Sequence, residues 1–90
     1  MEEFMTERQI ENHLVSESRR LSMPDGSIRQ VRQFRLAWSV FDNVQRMNLF
    51  SAEDMIAMSW DHMKRRGEPF ETSFGRVIGS IHRRVKAIRP

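Results

Sequence analysis

Between Ser27 and Trp38 an apolar residue recurs at every third position, Ile28, Val31 and Phe34, and each is followed by an arginine, Arg29, Arg32 and Arg35. The conformation of this segment decides the fold. Read locally, the spacing is helical. It continues to Trp38, Ser27 and Gln30 match a capping-box pair, and the pattern alone favours one helix from Ser27 to about Met47, with the arginines in a single stripe. Read as a strand, alternation holds only around Phe34 and Leu36, but the same residues then form a ribbon rich in arginine and glutamine. The segment carries three arginines, no acid, and the amides Gln30 and Gln33. Guanidinium and amide groups suit paired contacts with phosphates and base edges, which makes Arg29, Gln30, Arg32, Gln33 and Arg35 the candidate nucleic-acid-binding residues.

The flanking sequence supplies clearer punctuation. Met23-Pro24-Asp25-Gly26-Ser27 is a turn signal, because proline presets φ, aspartate bonds locally and glycine accepts positive φ. It can close a hairpin between 20–23 and 27–30. Residues 1–22 read as an acidic N-terminal arm or weak helix, with apolar positions spread around the helical wheel. Residues 23–90 read as the folded domain. Trp38, Phe41, Val44 and Met47 form the inward face of a helix ending at Asn48. Ser51 caps the next helix, with Glu53 and Asp54 suited to its positive end, and Gly67 stops it. Ala52, Met55, Ile56, Trp60 and Met63 make its buried face, with Met58 off that face. A last helix is expected to start at Thr72 or Ser73, with Phe74, Val77, Ile78, Ile81, Val85 and Ile88 on one stripe.

Ninety residues with no cysteine give a small core and no disulfide, so dimerisation is the expected route to stability. No apolar run approaches a membrane span, and the acidic N-terminus lacks a signal-peptide pattern, so the expectation is a cytoplasmic protein without membrane contact. The formal charge is +3, unevenly placed. Segments 27–47 and 71–90 are basic, and those before and between them are acidic. This pattern suits a polyanion partner.

The order Gly26-x-Ile28-Arg29-x-Val31-Arg32, then Ala37-Trp38, Phe50-Ser51 and Ser73-Phe74-Gly75-Arg76-Val77-Ile78 resembles the ribbon-helix-helix DNA-binding domains, specifically a branch of short bacterial regulators. Separately, Gln33-Phe34-Arg35-Leu36-Ala37-Trp38 is similar to the strand of the Arc-type repressors. The resemblance covers roughly residues 20–84. It implies a mostly α fold, a homodimer with one short strand per subunit at about 28–36, followed by three helices. The two strands of the dimer would pair in the major groove of double-stranded DNA, and Ser51 would hold a phosphate at a helix start. The two resemblances disagree on strand phase. One points Gln30 and Arg32 outward, the other Gln33 and Arg35. The expected function is therefore a DNA-binding transcriptional regulator. The alternative is an all-α bundle with 28–47 as one helix, acting as an adaptor or anti-regulator that binds a protein partner through its arginine stripe.

Catalytic and metal patterns are weak. His13, His62 and His82 have no ligand spacing, Gly79-Ser80 lacks a nucleophile-elbow context, and no phosphate-binding glycine loop occurs. The carboxylate pairs Glu2/Glu3 and Glu53/Asp54 read as helix-start acids. No cofactor, no metal and no enzymatic activity are expected.

Overall fold

The structure is a computed structural model that describes residues 15–88. An antiparallel hairpin of β1 (Ser16–Ser22) and β2 (Ile28–Phe34) leads directly into α1 (Arg35–Arg46), α2 (Ala52–Arg66) and α3 (Phe70–Ile88). Fourteen N-terminal residues of the expected acidic arm lie outside the described residues.

The turn closes as its residues dictate. Met23 N–H donates to the Ser27 carbonyl at 2.7 Å, and Gly26 N–H donates to the Met23 carbonyl at 2.9 Å. Gly26 holds φ at +88°, a region that favours glycine. The Asp25 carboxylate accepts the Ser27 amide at 2.9 Å and the Ser27 hydroxyl at 2.6 Å, and these two donors lower its pKa, the hydroxyl most. From the turn, the register runs from Ser22 opposite Ile28 to Ser16 opposite Phe34. Arg35 N–H extends the pairing to the Val15 carbonyl at 2.9 Å.

Four expectations are corrected here. The chain contributes two strands, not one, and the arm boundary at residue 22 is displaced because Ser16–Ser22 belongs to the sheet. The long helix over 28–47 does not form. Arg35 starts α1 instead, and Phe34 occupies the N-cap without any side-chain hydrogen bond. The strand therefore ends at Phe34 and not at 36.

Side chains alternate across the hairpin, so each face is set by register. Leu21 and Val31 lie on the inner face, and Val31 is buried together with Met23. This face packs on the helices around an aromatic cluster. Trp38, Phe41 and Phe74 have ring centroids 5.4–5.6 Å apart, and Phe70 stacks on Phe74 at 5.8 Å. Met55, Ile56, Ile78 and Ile81 complete the buried core. Burying each large apolar side chain stabilises the fold by about 1.5–3 kcal/mol.

α2 is bounded as expected. Ser51 and Asp54 form a reciprocal capping box, and Gly67 ends the helix in the left-handed region at φ +66°. α3 begins at Phe70, earlier than Thr72 or Ser73. Ser73 is fully buried inside the first turns, where its hydroxyl donates to Glu68 Oε1 at 3.0 Å and lies 3.1 Å from His62 Nδ1. Met47, expected inside, is 39% exposed. Trp60 and Met63 are half-buried.

Candidate nucleic-acid interface

The hairpin has two chemically distinct faces. Its inner face is polar at several positions, and each polar group is committed to the body of the protein. Arg19 makes two hydrogen bonds to the Asp42 carboxylate on α1, at 2.8 and 3.0 Å, and its guanidinium carbon lies 4.7 Å from the centroid of Trp38. The Asp42 hydrogen bond raises the Arg19 pKa against the opposing effect of burial, so this cation stays charged. Trp38 Nε1 in turn donates to the Glu17 carbonyl at 2.7 Å. Arg29 reaches across to α2, with its guanidinium 5.0 Å from the Trp60 ring centroid. Gln33 Nε2 donates to the Glu71 carbonyl at 2.6 Å, and the same side chain lies against Gly75, where an added Cβ would sit 3.3 Å from Gln33 Oε1.

The outer face is different. It carries Ser16, Ser18, Arg20 and Ser22 from β1, and Ile28, Gln30, Arg32 and Phe34 from β2, all exposed. Arg20 stands opposite Gln30, and Ser18 stands opposite Arg32. Among the described residues, none of these outward strand positions is acidic; the nearest carboxylate is that of Glu71, at the edge of β2. The Arg32 side chain is exposed, while its backbone amide donates to the Glu71 carboxylate and ties the outer edge of β2 to α3. Ile28 and Phe34, 61% and 50% exposed, bracket the polar centre at the two ends of β2.

The structure therefore sorts the expected site residues. Gln30 and Arg32 share the outer face, the phase given by the short-regulator resemblance. Arg29 and Gln33 point the other way and act as struts to α2 and α3. Arg35 is the first residue of α1, with Nε 3.4 Å from Glu17 Oε1. The Arc-like phase, with Gln33 and Arg35 outward, is not the one adopted. Ser51 lies on a separate helix start, where its hydroxyl accepts Asp54 N–H at 3.0 Å. Glu53 and Asp54 already place two carboxylates in that first turn, a charge that opposes a phosphate there.

Arg20 is the outer-face residue that sequence reasoning missed. The signal was present: Ser16, Ser18, Arg20 and Ser22 alternate with Glu17, Arg19 and Leu21, but the inward set contains only one apolar residue.

Among the described residues no group of three histidine, cysteine or carboxylate side chains could hold a metal ion, and no helix is long and apolar enough to cross a membrane. No protein-family model matches the chain, and neither a curated protein nor a solved structure is detectably similar to it.

Proposed function

We propose that the protein is a DNA-binding transcriptional regulator that lays the outer face of its own hairpin into the major groove. The observation that carries this reading is the outer face, with Arg20, Gln30 and Arg32 exposed together on a two-stranded ribbon whose outward positions, among the described residues, carry no acid. The major groove, about 12 Å wide, admits such a ribbon. Alternate residues on one strand face are about 6.6 Å apart, close to two base-pair steps. Arg20 and Arg32 then serve as guanine or phosphate contacts, Gln30 as an adenine contact, and Ile28 and Phe34 as apolar contacts to thymine methyl groups. In this arrangement a second copy is not needed to complete the ribbon. The inner-face struts (Arg19 to Asp42, Arg29 over Trp60, Gln33 to Glu71) hold it rigid against the helices, as a reading surface requires.

The test is fluorescence anisotropy on duplex DNA as a function of salt, with selection from a random duplex library for sequence preference. Wild type is expected to bind with a steep negative salt slope. Arg20→Ala with Arg32→Ala should reduce that slope by about 0.9 for each phosphate no longer neutralised. Gln30→Ala should alter the selected sequence at one position and leave the slope unchanged. Binding by the double variant with wild-type affinity and slope, while its circular dichroism is unchanged, would refute the reading. The same titration gives the number of copies on each duplex.

A further inference from the structure

A second feature lies away from the hairpin, between α2 and α3. It is an open cleft of about 310 Å³ to which no strand residue contributes. Its floor is apolar, made by Phe50, Met58, Val77 and Ile81. Its rim is cationic. Arg76, Ser80 and Arg84 follow one another at four-residue spacing along one stripe of α3, and Arg65 faces them from α2. One carboxylate lines the cleft, Asp61, and it lies 3.3 Å from Arg65. Arg76 is fixed on the wall by Glu68, Nε to Oε1 at 3.2 Å. Arg84 forms no ion pair among the described residues.

The two halves of the cleft ask for different chemistry. An apolar floor gains from covering by hydrocarbon, whereas three guanidinium groups against two carboxylates, Asp61 on Arg65 and Glu68 on Arg76, leave one positive charge uncompensated, that of Arg84. A bare phosphate satisfies only the rim, and a neutral hydrocarbon satisfies only the floor. We infer that the cleft is a binding site for a small amphipathic carboxylate, with its hydrocarbon on Met58, Val77 and Ile81 and its carboxylate between Arg76 and Arg84. Met58 fits this assignment. It lies off the main buried face of α2, is half-buried, and supplies the flexible thioether that adapts to ligands of varied shape. The volume lies at the lower end of the range for ligand clefts. The site stands independently of DNA binding, since none of Arg20, Gln30 and Arg32 lines it.

The experiment is an amide-resolved NMR titration of the full chain with sodium octanoate below its micellar concentration. Octanamide and inorganic phosphate are titrated in parallel. Octanoate is expected to shift the Met58, Val77 and Ser80 amides saturably. Octanamide should bind about tenfold more weakly, for want of the charge-assisted hydrogen bonds, and phosphate, which meets only the rim, should shift Ser80 weakly and leave the Met58 and Val77 amides unmoved. Arg84→Gln, a substitution of an exposed side chain, should weaken octanoate about tenfold while preserving the rest of the spectrum. The inference is overturned if octanamide matches octanoate, if phosphate moves the same amides as strongly, if the shifts fall instead around Leu36 and Val40, which line a separate groove between α1 and α3, or if Arg84→Gln titrates like wild type.

Discussion

Removing Arg19 tests whether the hairpin is anchored to the helices by a charged side chain of its inner face. Besides a longer contact of its Nε with Glu17 Oε2 at 3.6 Å, which is within β1, Arg19 contributes twice to holding the hairpin on the helices. Its bidentate pair with Asp42 joins groups whose side chains are 35% and 41% exposed, so solvent screens it to about 0.2–1 kcal/mol. Its position over the Trp38 ring, 4.7 Å from the centroid, adds about 0.5–1 kcal/mol. Arg19→Ala should therefore cost about 1–2 kcal/mol, and for a chain of this size that lowers Tm by roughly 5–15 °C. Asp42→Ala removes only the ion pair and should cost about 0.2–1 kcal/mol. The coupling energy from the double-mutant cycle isolates the pair and should shrink at high salt, while the ring contribution persists. Urea and thermal denaturation followed by far-UV circular dichroism provide the values. If the two single variants are equally stable, the stacking on Trp38 contributes nothing. If Arg19→Ala is as stable as wild type, β1 is not held to α1 in the way described.

Other outcomes follow from local geometry. Asp25 should titrate below its ordinary carboxylate value of 3.8 because Ser27 donates to it twice. A lowered folded pKa means that the contribution of the turn is present above the ordinary value and is lost as pH falls through the lowered one, which a carboxyl-carbon NMR titration follows and Ser27→Ala should reverse. Gly79→Ala should stabilise α3 by up to about 1 kcal/mol, since the new methyl meets only Arg83 at an ordinary 3.8 Å. Gly75→Ala should gain less in the same melting assay, because Gln33 lies 3.3 Å away and is held by its bond to the Glu71 carbonyl. Ser51→Ala should cost about 1 kcal/mol by removing the cap, and should leave duplex binding unchanged.

The parts of the fold visible in the sequence are those with local causes. Pro24-Asp25-Gly26 makes its turn through bonds within a few residues, Ser51 and Gly67 bound α2 through their own backbone preferences, and the stripe Phe74-Ile78-Ile81 needs only helical period. The strand-or-helix choice at 28–34 is long-range. Ile28 and Phe34 imitate a helical core stripe, yet both are exposed and only Val31 is buried. β1 hides for the complementary reason. Its inward positions Glu17 and Arg19 are charged: Arg19 becomes core-compatible only when Trp38 and Asp42 arrive from residues about twenty positions away, and the Glu17 carboxylate is met by Arg19 and by Arg35 of α1. α1 starts at a residue with no capping side chain before it, so nothing local marks the end of the strand. For the candidate interface, residue types indicated guanidinium and amide chemistry. Their division into an outer pair, Gln30 and Arg32, and inner struts, Arg29 and Gln33, required the register. Arg20 required knowing that β1 exists.

The hairpin is built from two different strands of one chain, SESRRLS and IRQVRQF. A ribbon made of two identical strands related by a dyad must present the same side chains on both halves, and whatever it recognises inherits that twofold repetition. Here nothing enforces such equality. Arg20 and Arg32 occupy inequivalent places, each can be exchanged without altering the other, and, used as the reading surface proposed above, they would be free to specify a target that differs from end to end.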